Sequence, residues 1–526
     1  MEKHNRKESV FELVKSMDKA EKRNFKLFAT RQGDSQDTKF VRLFDCLASM
    51  DSYSEEKILR KCDFVKKEQL PNLKAHLYRQ ILISLRLLEP RRSELLKLHE
   101  QLDFARILFD RGLYQQSENI LIKAGETAHL LEQHSLTLQI TELHQQVCEC
   151  RLHGTVSRLS AETNIRIKTI CREIQNTTEL SDLAVKLYSL HLRLGYARTQ
   201  KDIDLLERCY KPRLKHFQEP PVRQSFSEKF HWYQAKAWYH YVHHNFAYAY
   251  RYGRAWIEMF DENPHMKSIL YGNYLHGYSH FLEGSYLTRR YEKFVEHIEK
   301  FEAENSHTGV INENAAMISQ HVLLTARMNK CIMEGAFKEG LRMTGSAEEY
   351  LKRYARRLSL PDRMMLNYKT AVLYFGVGNY AKCMEHLSDI IAVQSPNIRR
   401  DLQSYARMLN ILATYESGNE SDMNNQIESV SAFMVKMKDM TEMKHKLLAF
   451  FRQTDGRDIL DRKKDFEMLY DRLKPYENHP GERQTFYYFD ITSWLKSKIT
   501  GKSFGEILRE RFISTGTQKN LNDTNN

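Results

Sequence analysis

Three constellations in the 526-residue sequence hold side chains able to do chemistry. His144, Cys148, Cys150 and His153 form the densest set of soft ligands, the raw material of a zinc site. On a helix turning about 100° per residue, His144 and Cys148 share one face, while Cys150 and His153 fall on roughly the opposite one. The four cannot meet at one ion without breaking the helix, so they read as packed thiols beside ordinary imidazoles. His240 and His244 stand four apart, and His276 and His280 repeat that spacing one hairpin later. Two such pairs on adjacent helices could grip a metal, but no carboxylate is clearly supplied, and a catalytic ion needs an open position and a base. Gly501-Lys502-Ser503 ends like a phosphate-binding loop, yet Lys496 stands where that loop needs its first glycine and no strand precedes it; a turn between helices fits better. No nucleophile elbow, His-Glu-x-x-His pattern or dinucleotide fingerprint occurs in a suitable context. No catalysis, cofactor or resident metal is expected.

The stretch from Phe230 to Tyr278 points instead to binding. It carries Trp232, Tyr233, Trp238, Tyr239, Tyr241, Tyr271, Tyr274 and Tyr278, too many rings for one apolar stripe even though helical spacing sends some of them to the core. Trp232, Tyr239 and His243 lie at i, i+7 and i+11 and so share a face. Aromatic side chains with polar tips are common anchors of interfaces. The expected partner-binding groove is therefore Trp232, Tyr239, His240, His243, Tyr271, Tyr274 and Tyr278.

The elements that must carry these residues are helices. Hydrophobic residues make up 41% of the chain and charged ones 28%, while 10 prolines and 21 glycines leave little room for β-turns. The length exceeds what one compact core usually supports, so an elongated array or several domains is expected. Asp18 with Glu21, and Ser54 before Glu55-Glu56, read as helix N-caps. Pro71 and Pro90 bracket a further helix through Leu77, Ile81, Leu85 and Leu88. Beyond residue 95 a junction recurs about every 40 to 46 residues. It is clearest at Gly378-Asn379-Tyr380 followed by Cys383, at Gly112-Leu113-Tyr114 with Ser117, at His244-Asn245-Phe246 with Ala249, and at Gly335-Ala336-Phe337 with Gly340. Weaker copies fall near Gly154, Gln200 to Asp202, Arg289 to Tyr291, and Gly418-Asn419. Each reads as a left-handed turn joining two helices, with an aromatic packed beneath it and a small residue where the helices approach.

This junction resembles the second half of a tetratricopeptide motif, best matched by Tyr374, Gly378, Tyr380 and Leu387 with Pro396 shortly after. The period exceeds that family's 34 residues, and Ala371 and Ala237 stand where its first helix carries glycine. The resemblance implies a right-handed all-α solenoid of about eight antiparallel helical hairpins, with longer helices than the family's own. The segments from Lys19 to Lys26 and from Phe489 to Ile499 also resemble the two ends of a family of uncharacterised bacterial repeat proteins. The expected organisation is an N-terminal helical cap or small domain over 1–95, tetratricopeptide-like repeats over 96–475, a capping region with Trp494 and Ile499 over 476–513, and an unstructured tail over 514–526.

Eight scattered cysteines without framework spacing, and an N-terminus without an apolar leader, suggest reduced thiols in the cytoplasm. The most apolar run, Ile81 to Leu88, is interrupted by Arg86, so no membrane insertion is expected. The net charge of +12 permits nucleic acid as a partner, but basic stretches such as Lys66-Lys67 and Lys463-Lys464 are short and lie near acids. The expected function is a protein-interaction scaffold or adaptor that holds a peptide or helix in a solenoid groove; the alternative is an RNA- or DNA-binding helical repeat protein. Oligomeric state is open.

Overall fold

The computed structural model describes residues 8–31, 35–62, 65–88, 93–151, 156–197, 199–216, 225–307, 312–395, 398–418, 423–453, 459–479, 482 and 485–523. The architecture is all-helical, with no strand among the described residues. None of the helices described is long and apolar enough to cross a membrane. All eight cysteines are free thiols. Backbone contacts divide the chain into two units, Met1–Ile174 and Gln175–Asn526.

The first unit opens with α1 (Ser9–Ser16), α2 (Lys19–Arg31), α3 (Ser35–Ser49), α4 (Glu55–Lys61) and α5 (Leu70–Leu88), which bury a core of their own around Val14, Phe25, Leu43, Ile58, Leu77 and Ile81. The expected caps are present. Asp18 accepts from the Glu21 amide while Glu21 accepts from the Asp18 amide, at 2.7 and 2.8 Å, and Ser54 accepts from the Lys57 amide. Then α6 (Glu94–Asp110), α7 (Tyr114–Leu130) and α8 (His134–Arg151) pack in succession, ahead of α9 (Val156–Leu194), within which the boundary falls.

The second unit continues with α10 (Gln200–Leu205), a π turn over Leu206–Tyr210, α11 (Lys211–His216), α12 (Phe226–Val242), α13 (Phe246–Asp261), α14 (Pro264–Ile269) and α15 (Tyr271–Leu287). Next come α16 (Tyr291–His307), α17 (Glu313–Glu334), α18 (Phe337–Arg353), α19 (Leu360–Gly376), α20 (Tyr380–Ile391), α21 (Arg400–Glu416) and α22 (Met423–Lys436). The chain ends with α23 (Glu442–Gln453), α24 (Ile459–Leu473), α25 (Thr485–Tyr488), α26 (Ile491–Thr500) and α27 (Phe504–Asp523). Helix α27 thus continues past Ile513, where the sequence reading begins an unstructured tail. From α6 to α8 and from α11 to α24 each helix packs on the next in sequence, with α13 also on α15, α15 on α17 and α17 on α19.

One local device recurs at the hairpin turns. Gly112, His244, Arg289, Gly335, Gly378 and Gly418 all adopt left-handed backbone, with φ between 55° and 80°. At five of these turns the next amide reaches back five residues: Leu113 to Leu108, Asn245 to His240, Arg290 to Ser285, Ala336 to Cys331 and Asn379 to Tyr374, at 2.8 to 3.0 Å. That bond closes the last turn of the first helix and leaves the chain aimed back along it. In all five an aromatic residue opens the second helix: Tyr114, Phe246, Tyr291, Phe337 and Tyr380. Three residues further on, Ser117 and Cys383 are fully buried, and a Cβ at Gly340 would press on Leu373. The Gly154 junction, Asn419 and Pro396 lie outside the described residues; near Gln200 the left-handed residue is Gly195 and Thr199 caps α10.

Close packing makes a prediction from paired glycines. A Cβ at Gly376 would overlap the Phe337 ring, which is itself held between helices and stacked on Phe504. Gly376→Ala is expected to lower stability by about 1–3 kcal/mol. Gly272, in the first turn of α15, has open space where a Cβ would sit, so Gly272→Ala is expected to be neutral or stabilising by up to about 1 kcal/mol. Urea midpoints of the two variants check the contrast; equal midpoints would contradict it.

Candidate functional site

The seven residues proposed for a groove all lie in the second unit, and five of them are core. Trp232 is 1% exposed, with its ring edge-on to Tyr252 and the Lys236 ammonium 4.9 Å from its centroid. Tyr274 is fully buried; its hydroxyl donates to Glu304 at 2.9 Å and the Lys267 ammonium sits 3.9 Å from its ring centre. Tyr278 stacks on Phe301 at 4.5 Å and donates to the His297 carbonyl oxygen. Tyr271 donates to Asn305, and Tyr239 to Glu207 in the π turn. Burial, with Glu304 or Glu207 beside them, pushes the Tyr274 and Tyr239 phenols above their ordinary pKa. These tyrosines use their polar tips internally and brace the helices, although Tyr271 also borders a pocket with Asn305 and Ser319. His240 and His243 keep part of their surface: His240 is flanked by the rings of Tyr248 and Tyr252, and His243 stands 3.6 Å from Glu207.

The two histidine pairs do not converge on a metal. His280 lies against Trp238 and Trp256, and His244 faces Tyr196. The Gly501-Lys502-Ser503 segment is a turn between helices: Gly501 ends α26 in left-handed backbone, Ser503 and Glu506 cap α27 reciprocally, and Lys502 pairs with Glu510.

What sequence reasoning missed is a buried polar junction in the second unit. Arg399 grips Asp401 through two bonds of 3.0 and 2.9 Å, and Tyr488 from α25 donates to Asp401 while accepting from Arg399. Asp401 is completely buried. The Arg399 amide, in left-handed backbone, donates to the Leu192 carbonyl at the end of α9, and Gly195 lies so close to Asp401 that a Cβ there would overlap the carboxylate. Tyr196 packs on Tyr241, Tyr488 and His244. Burial opposes the Arg399 charge, but Asp401 and Tyr488 outweigh it and hold the guanidinium above its ordinary pKa. Nearby, buried Lys369 donates to Asn329 at 2.6 Å, which donates to Glu283 at 3.2 Å. Burial pulls the Lys369 pKa down. The one hint in the sequence was the Phe489–Ile499 segment, whose Trp494 donates to Glu416 on α21.

This junction organises the interior of the second unit. Asp401→Ala would leave Arg399 buried without its carboxylate, an expected loss of about 3–5 kcal/mol, checked by thermal unfolding against the apolar double replacement Arg399→Met/Asp401→Leu, which is expected to lose less. His191 adds a pH dependence. Its Nδ1 donates to the Gly195 carbonyl at 2.7 Å, and burial, then Arg399, push its pKa down to about 3. The folded state therefore refuses a proton that the unfolded chain takes near pH 6.5, so stability is full above that pH. It falls by about 1.4 kcal/mol per pH unit toward pH 3. His191→Gln is expected to flatten the change in urea midpoint between pH 7 and 5; an unaltered pH dependence would contradict the assignment.

In the first unit, His144 and Cys148 do share a face of α8, their Nε2 and Sγ 3.8 Å apart, whereas Cys150 is exposed and His153 lies outside the described residues. Glu118 of α7 faces the pair, its carboxylate 3.9 Å from the His144 nitrogen. The three are the one group of potential metal ligands gathered among the described residues. No family model, curated protein or solved structure matches the chain.

Proposed function

We propose that the chain is a protein-interaction scaffold, a tetratricopeptide-like right-handed α-solenoid of about eight hairpins that receives a peptide or helix of a partner protein. The five equivalent hairpin closures and the packing of successive helices from α6 to α8 and from α11 to α24 support the solenoid. The proposed partner surface lies outside the aromatic stretch, whose rings are mostly buried in the core.

The observation that carries the reading is that α6 is apolar on two opposite faces. Leu98, Leu102 and Ala105 are buried on one, while Leu96, Phe104 and Ile107 stand on the other, with Phe104 48% and Ile107 52% exposed. Beside it α5 leaves Tyr78, Leu82 and Leu87 exposed, and Arg86 of α5 pairs with Asp103 of α6 at 3.0 Å. Glu100 and Asp103 lie among these side chains, but a second apolar row on a helix whose first face is already buried is the kind of exposed surface that marks interaction sites. An amphipathic partner helix would lay its own apolar face there.

Phe104→Asp/Ile107→Asp is expected to weaken partner capture about tenfold or more with circular dichroism unchanged. Trp232→Ala should instead lower stability by about 3–5 kcal/mol as a core truncation. The measurement is cross-linking in native lysate followed by capture, with and without nuclease. Capture that survives the double substitution, or that vanishes only with nuclease, would overturn the reading, the latter in favour of nucleic acid.

A further inference from the structure

We propose that Glu118, His144 and Cys148 form a binding site for a zinc-class divalent ion in the first unit. Three donors of different kind meet there: a carboxylate from α7, and an imidazole and a thiol one helical turn apart on α8. Their donor atoms lie within 4.8 Å of one another, with Sγ to Nε2 at 3.8 Å and Nε2 to Oε1 at 3.9 Å. Around a tetrahedral zinc ion bound at about 2.0–2.3 Å, a sulfur and a nitrogen ligand stand about 3.5 Å apart and a nitrogen and an oxygen about 3.3 Å, so the sulfur–nitrogen spacing is already close and a rotamer adjustment of Glu118 would bring its carboxylate in. A sulfur, a nitrogen and one oxygen is a donor set that suits zinc and not calcium or magnesium, which prefer oxygen.

The surroundings fit ligation. An imidazole binds an ion through a neutral ring nitrogen, and the Cys148 thiol must give up its proton to solvent as the ion binds, so binding strengthens as pH rises. Arg151 pairs with the other carboxylate oxygen, Oε2, and Gln115 donates to the same atom at 3.4 Å. Oε1 is left facing the histidine, so Arg151 orients the carboxylate as an outer partner does at a metal site. Cys148 is buried, while the side chains of His144 and Glu118 are 29% and 21% exposed. The fourth position therefore opens to solvent, the arrangement of a site that exchanges a water or ligand rather than a closed structural one.

Cobalt(II) added to the full-length, reduced, untagged chain is the probe. One equivalent is expected to produce a thiolate-to-cobalt absorption band with tetrahedral visible bands, and zinc should displace it. Cys148→Ala is expected to abolish the band. His144→Gln, a change at a partly exposed position that leaves the thiol in place, should weaken zinc binding by at least about 100-fold, more than loss of an outer partner costs. Cys150→Ala should change nothing, because that thiol is exposed away from the pair. A wild-type chain without a thiolate band overturns the proposal, as does a band that persists in Cys148→Ala or disappears in Cys150→Ala.

Discussion

The second unit depends on the pairing of Arg399 with Asp401. A carboxylate with no exposed surface is tolerable only when its charge and lone pairs are met, and here a bidentate guanidinium and the Tyr488 hydroxyl do so. The pair joins segments far apart in sequence: the end of α9 through the Leu192 carbonyl, the start of α21, and α25 through Tyr488. Arg399 holds a left-handed backbone at some cost in strain, and that conformation aims its amide at Leu192 while its side chain returns to Asp401. With this closure made, the rings of Tyr196 and Tyr241 are buried, Tyr488 is partly buried against them, and burial keeps His191 neutral beside them.

The hairpin closures are the part of the fold that was legible in advance, because their chemistry is local. A residue that tolerates positive φ, an aromatic two positions on and a small residue three beyond that are sequence features, and the six-residue loop bond follows from them. Even His244 and Arg289, which lack glycine's freedom, take the left-handed conformation where the spacing asks for it. The helix caps at Asp18 and Ser54 were legible for the same reason.

The groove was not legible, and the reason is equally physical. Periodicity tells which residues share a face; it does not tell what covers that face. Tyr239 and Tyr274 have polar tips whose acceptors, Glu207 and Glu304, lie some 30 residues away, and nothing local marks those acceptors as partners. Once both ends of such a side chain are satisfied inside, it stabilises the core as a ring and costs nothing as a hydroxyl. The metal cluster shows the same limit from the other side. The His144 and Cys148 pair follows from helical spacing, but Glu118 comes from the preceding helix, and only the packing of α7 on α8 brings it within reach.

The same logic separates α6 from the aromatic helices. In α12 and α15 every large ring that the spacing leaves over finds a neighbouring helix, so excess apolar surface signals dense packing. On α6 the leftover face finds none among the described residues: Phe104 and Ile107 remain about half exposed although the opposite face is already buried. Covering a side chain of that size is worth about 1.5–3 kcal/mol, and single exposed apolar residues are ordinary. Several on one helix face, with further ones on α5, are already about half covered, so each leaves only about half of that figure unrealised in the isolated chain. On the scaffold reading proposed above, a helical partner with a matching apolar stripe would cover this surface as the helices of the second unit cover one another.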